Sequence, residues 1–109
     1  NEMEYFGETT KLTKILSNPR LRVKTYGRDR ANRIGQRLSD FEDAKNLDDI
    51  SRFPPARLHL LLGDRKNQFA VDVGPNWRMI FEAYDRHDEM TTKTSDAVTI
   101  VILEIEDYH

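Results

Sequence analysis

A proline pair, Pro54-Pro55, divides this chain into two stretches with different apolar rhythms. Proline has a fixed φ and no amide hydrogen, so it cannot continue a helix, and it drives the residue before it into an extended conformation. Regular helix before the pair therefore has to stop there. Upstream, apolar residues recur at helical intervals; downstream they alternate, the period of a strand. Helices first and strands second is the pattern of an α+β fold.

The elements can be placed on that division. Glu4 to Phe6 reads as a short opening strand, and Thr9 or Thr10 can cap a helix that buries Leu12, Ile15 and Leu16. Asn18-Pro19 ends that helix and starts another through Leu21 and Val23, with Gly27 as the next break. From Arg28 to about Ala44, Ala31, Ile34, Leu38 and Phe41 form one apolar stripe, and Arg30, Arg33 and Arg37 are expected on the opposite, polar face. After the prolines, Arg57 to Leu62 reads as a strand and Gly63 to Asn67 as a turn. A second strand from Gln68 to Val73 turns Phe69, Val71 and Val73 to one side. Gly74-Pro75-Asn76 turns the chain into a strand from Trp77 to Tyr84. On it, Trp77, Met79, Phe81 and Ala83 share one face, and Arg78, Ile80, Glu82 and Tyr84 the other. A polar, mobile hairpin loop is expected from Asp85 to Asp96. Val98 to Leu103 then reads as a strand buried on both faces. The expected architecture is N-terminal helices on one face of a mainly antiparallel sheet of four to five strands, in one domain spanning residues 1–109.

Composition narrows the setting. The absence of cysteine excludes a disulfide framework and zinc–thiolate sites, and a reducing cytoplasm is the expected compartment. No apolar run approaches the roughly 18 residues of a membrane span, and no signal-peptide pattern opens the sequence. The net charge of −2 is not that of a typical nucleic-acid binder. Its distribution is polarised, however: Arg20 to Arg37 holds seven basic residues against one acid, and Glu82 to His109 holds eight acids against two basic residues. A basic face is compatible with the overall sign.

Two histidines stand where strands are expected to end. His59 lies in Arg57-Leu58-His59-Leu60-Leu61-Leu62-Gly63-Asp64-Arg65, and the last strand closes on Asp107-Tyr108-His109, which would hold that imidazole at the edge of a sheet. Fixed histidines with arginines nearby suit acid and base work on a phosphodiester. No pair of histidines has the i, i+4 spacing of a helical metal site, and neither a metal nor any other cofactor is expected. His87, in the polar loop, is left out of the site.

The sequence resembles the HigB toxins of the RelE/ParE superfamily. The likeness rests on the His59 strand ending in Gly63-Asp64-Arg65, on Gln68-Phe69-Ala70-Val71-Asp72-Val73, on Trp77-Arg78-Met79-Ile80-Phe81-Glu82, and on the closing Asp107-Tyr108-His109, in that order. It covers essentially the whole chain and is most specific from Pro54 onwards. The resemblance implies a RelE-like fold and an endoribonuclease that cuts mRNA in the ribosomal A site by metal-free acid/base chemistry. It also implies neutralisation by a HigA-like helix-turn-helix antitoxin.

By the same resemblance His59, Asp107, Tyr108 and His109 match catalytic positions, and Arg65 and Arg78 match positions that contact RNA phosphates. His109 is assigned as base and His59 as acid or orienting group, with the exchange of roles left open. Asp107 would orient a histidine, and Tyr108 would hydrogen-bond or stack on a base. Relatives commonly carry lysine immediately before the glycine; this chain has Leu62 there, with Lys66 in the following turn as the substitute cation. Two alternatives stay open, the first favoured by that departure and by a pI of 5.9, the second opposed by the closing Asp107-Tyr108-His109. One is a catalytically weakened toxin acting mainly as antitoxin partner and co-repressor; the other is a ParE-like gyrase inhibitor, which needs no ribonuclease constellation.

Overall fold

Thr9, rather than Thr10, caps the first helix: in the computed structural model, which describes residues 3–108, its Oγ1 accepts from the Leu12 amide at 3.1 Å. The chain reaches this cap from strand β1 (Glu4–Gly7) and continues into α1 (Thr10–Ser17). A Cβ on Gly7 would stand 2.8 Å from both Leu12 Cβ and the Thr13 nitrogen, so the tight approach of strand to helix requires glycine. Asn18 ends α1 and caps α2 (Pro19–Tyr26), accepting from the Arg20 amide at 2.9 Å, with Pro19 in the first turn as expected. Gly27, at φ 85°, joins α2 to α3 (Arg28–Asp43).

The stripe expected on α3 is buried as read: Ala31, Ile34, Leu38 and Phe41. Arg37 is not on the polar face. It follows Ile34 by three residues and precedes Phe41 by four, so the helix turns it onto the margin of the apolar stripe, where it is 6% exposed. Its Nε lies 3.2 Å from Asp40 Oδ2 without the alignment of a hydrogen bond. In α1 only Leu16 is fully buried; Leu12 packs at the core margin and Ile15 is half-buried.

Beyond the prolines come β2 (His59–Leu60), β3 (Phe69–Asp72), β4 (Trp77–Tyr84) and β5 (Thr99–Asp107). They join β1 in one mixed five-stranded sheet of order β1-β5-β4-β3-β2, parallel between β1 and β5 and antiparallel elsewhere. The fold is therefore α+β. Strand β2 is shorter than the expected Arg57–Leu62, because Arg57 takes a left-handed conformation at φ 49° and Leu62 leads into a tight turn at Gly63–Arg65. The segment after β4 is a hydrogen-bonded turn: the Asp85 amide donates to Glu89 O at 2.9 Å, and Asp85 Oδ1 accepts from the His87 and Glu89 amides.

One sheet face carries the main core, in which Leu16, Ile34, Leu38 and Phe41 meet Phe69, Val71, Met79, Phe81, Ile100 and Ile102. Phe81 anchors it, edge-on to Phe41 at 5.4 Å and stacked on Phe69 at 5.6 Å. The other face holds a small apolar group of Leu61, Ala70 and Ile80 with Leu103 at its side. With helices on one side only, β5 is not buried on both faces: Ile100 and Ile102 are buried, whereas Thr99, Val101 and Leu103 stay partly exposed. Nor is β5 an edge strand along its whole length. It lies between β1 and β4, and β1 accompanies it only from Thr99 to Ile102.

Register in β5 shifts once. Phe81 pairs with Ile102 and Ile80 with Glu104, which leaves Leu103 as an extra residue in a β-bulge. Strict alternation from Ile100 and Ile102 would aim Glu104 and Glu106 into the core. The bulge instead returns Ile105 to the core side and turns both glutamates to the open face.

Candidate functional site

The open face of the sheet gathers three arginines from three different segments. Arg78, on β4, faces Glu106 across the β4–β5 ladder and donates to its Oε2 from Nε at 2.9 Å and from Nη2 at 2.8 Å. Arg65, in the turn after β2, donates to Glu104 at 2.9 Å, to Glu106 at 3.3 Å and to Gln68 at 3.1 Å. Arg57, just before β2, makes a two-nitrogen contact with Asp72 on β3 at 2.8 and 2.9 Å. Its Nη2 also donates to the Tyr108 hydroxyl at 3.2 Å.

Tyr108 is held at three points. Its amide donates to Asn76 O at 2.9 Å, its hydroxyl accepts from Arg57, and the Arg78 guanidinium lies 5.0 Å from its ring centre. Asn76 presents that carbonyl from a left-handed turn at φ 64°. The phenol is thus bracketed by two cations while 38% of the residue remains exposed, an arrangement suited to stacking on a base.

Charges on this face nearly balance, since Asp72, Glu104 and Glu106 answer Arg57, Arg65 and Arg78. A hydrogen bond between the two glutamates pushes the Glu104 carboxyl above the usual carboxylate range. The same bond, assisted by the Arg78 guanidinium, holds Glu106 below it. Both arginines expected to bind phosphate are therefore engaged with carboxylate oxygens of this same chain.

His59 pairs with Ala70 and so shares the open side of the edge strand. Its Nδ1–H donates to the Arg57 carbonyl at 2.7 Å, a contact that orients the ring and leaves Nε2 directed away from the backbone bond. The residue also borders a cavity of about 470 Å³ together with Arg52, Leu60, Phe69 and Lys93. Strands β2 and β5 are three positions apart in the sheet, about 14 Å between backbones at ~4.8 Å per strand. His59 and the end of β5 are brought to one side of the sheet but not into contact.

Asp107 pairs with Trp77, which puts it on the helix side of the sheet, away from Tyr108 and Arg78. Lys66 is exposed at the end of its turn. Leu62 is 89% exposed. His109 lies outside the described residues.

Arg57, Asp72, Glu104 and Glu106 belong to this cluster without having been singled out in the sequence. Two signals point to the three acids. The three-residue step from Ile102 to Ile105 breaks the alternation of β5, and the close Gly74-Pro75-Asn76 turn sets Asp72 opposite Arg78. Comparison with protein-family models and with curated proteins gives no match.

Proposed function

We propose that this chain is a HigB-type toxin of RelE-like fold, a cytoplasmic mRNA endoribonuclease that acts in the ribosomal A site and is neutralised by a HigA-like helix-turn-helix antitoxin. One observation carries the reading: Arg65, Arg78, Tyr108 and His59, drawn from separate segments, share the sheet face opposite the helices. Together they supply cations for phosphate, a ring for a base, and a nitrogen for proton transfer.

The chemistry is metal-free transesterification. A base removes the ribose 2′-hydroxyl proton, O2′ bonds to phosphorus, and the bond to O5′ breaks as an acid protonates it. The product is a 2′,3′-cyclic phosphate with a free 5′-hydroxyl. The Arg57 carbonyl accepts from His59 Nδ1, which leaves Nε2 as the nitrogen that would take or give the proton. His109 would be its partner, as base with His59 as acid or with the two roles exchanged. Arg65 and Arg78 would offset the charge that develops on the phosphate.

A second reading, a weakened toxin kept for its antitoxin interface, is favoured by the engagement of both arginines with Glu106 and by the exposed Leu62 in the lysine position. Induction of the wild-type chain in growing bacteria, beside His109→Ala and Leu62→Lys, separates the two. Growth arrest and mRNA cutting by wild type, both lost in His109→Ala, support the nuclease. An inert wild type that still binds antitoxin supports the second reading, and recovery of cutting by Leu62→Lys would identify the missing cation.

A further inference from the structure

Glu106 occupies the fork of Arg78 in the way a phosphate would, with two nitrogens of the guanidinium on one anionic oxygen at 2.9 and 2.8 Å. Its second oxygen reaches Arg65 at 3.3 Å, and Glu104 takes the same Arg65 nitrogen at 2.9 Å. Two cations and two carboxylates thus close on each other, and the side chains of Arg78 and Glu106 are only 20% and 24% exposed. The bulge preserves this closure: it takes up the extra Leu103, so that both glutamates stay on the face of the arginines.

We infer that Glu104 and Glu106 are an internal substitute for a phosphodiester, an autoinhibitory pair that must leave Arg65 and Arg78 before an RNA phosphate can take their place. The inference rests on the reading of those arginines as phosphate-binding groups. It adds that the affinity of the face for RNA is set by competition within the chain as much as by the number of cations on it. Glu82 supplies the contrast. It lies on the same face and carries the same charge, but it accepts from the Tyr84 hydroxyl at 3.1 Å and holds neither arginine.

The test measures binding of a fluorescent single-stranded oligouridylate, 2′-O-methylated to prevent cutting, over a series of salt concentrations. Wild type is compared with Glu106→Gln, Glu104→Gln, Glu82→Gln and the double variant Arg78→Gln/Glu106→Gln. Glu106→Gln is expected to bind about tenfold tighter than Glu82→Gln, the gain of roughly one charge-assisted contact. Its log–log salt dependence should steepen by about 0.7 for each arginine released. The double variant should lose the gain. Glu104→Gln, which leaves the Arg78 contact intact, should move the same way by a smaller factor, and it stands in if Glu106→Gln does not fold.

Equal affinity and equal salt slope in the Glu106→Gln and Glu82→Gln proteins would overturn the inference, since only net charge would then matter. The outcomes also separate it from the toxin reading. A gain in Glu106→Gln without growth arrest or mRNA cutting by any variant keeps the internal substitute and discards the toxin. Cutting by wild type with no difference between the two glutamine variants does the opposite.

Discussion

Arg57 and Asp72 meet through two hydrogen bonds, at 2.8 and 2.9 Å, and tie the segment before β2 to the end of β3. The pair has a backbone cost, because Arg57 holds it from φ 49°, a region that side chains rarely adopt. Arg57 is partly exposed, so solvent screens the contact, and Arg57→Ala or Asp72→Ala should each cost about 1 kcal/mol. Because both remove one interaction, the double variant should cost little more than either alone in denaturant unfolding. Arg57→Gly should be less destabilising than Arg57→Ala, since glycine relieves the backbone.

Burial makes Arg37 and Asp40 unequal partners. Arg37 has 7% of its side chain exposed and Asp40 44%, so removing the aspartate strands a guanidinium that water barely reaches. Asp40→Ala should therefore destabilise by about 1–2 kcal/mol, reduced from the cost of a fully buried pair by the exposure of Asp40. Arg37→Met keeps the packing and removes the charge, and should be close to neutral or stabilising. Chemical denaturation of the two variants checks the order.

The bulge makes an unusual deletion tolerable. Without Leu103, Ile102 is followed directly by Glu104, and every later side chain of β5 keeps its face. The deletion should leave the protein folded, at a cost of about 1–2 kcal/mol for the packing Leu103 gives to the small apolar group. Deletion of Ile100 should cost more, because loss of the bulge restores register only from Glu104 onwards and Ile102 then leaves the core. Circular dichroism and thermal melting distinguish the two.

Alkaline stability should depend on Tyr5. Burial, and the hydroxyl's 2.6 Å hydrogen bond to Glu42, push its pKa up to about 12. The unfolded chain releases the same proton near ~10. Between those values the native state binds more protons than the unfolded one, so stability falls as pH rises through this window. In Glu42→Gln the window should narrow, as a phenolate titration by ultraviolet absorbance would record.

The α+β arrangement was legible because two periods are written into the chain, with Pro54-Pro55 between them. The core side of β4 was legible for the same reason, since Met79, Phe81 and Ala83 alternate and are all fully buried. Arg37 escapes a reading by residue type, because its charge suggests the polar face while its position, three residues from Ile34 and four from Phe41, puts it beside the apolar stripe. On β5, strict alternation concealed the bulge, and with it the contacts that Glu104 and Glu106 make with the two arginines. Arg57 could not be found by pattern, because its role depends on a left-handed backbone and on a tyrosine 51 residues away. Sequence therefore supplied several of the cations and the phenol of the site, and the structure added the anions that occupy the cations.

The most direct measurement places the purified chain with ribosomes stalled on a labelled mRNA, in the presence of a metal chelator at a concentration that leaves the ribosomes intact. The account predicts cutting within the A-site codon, with a 2′,3′-cyclic phosphate end, no cutting when that nucleotide is 2′-deoxy, and a rate in His59→Ala lower by about 10²–10⁴-fold. An mRNA left whole by wild type, or cut as fast at the 2′-deoxy nucleotide as at the ribonucleotide, would contradict it.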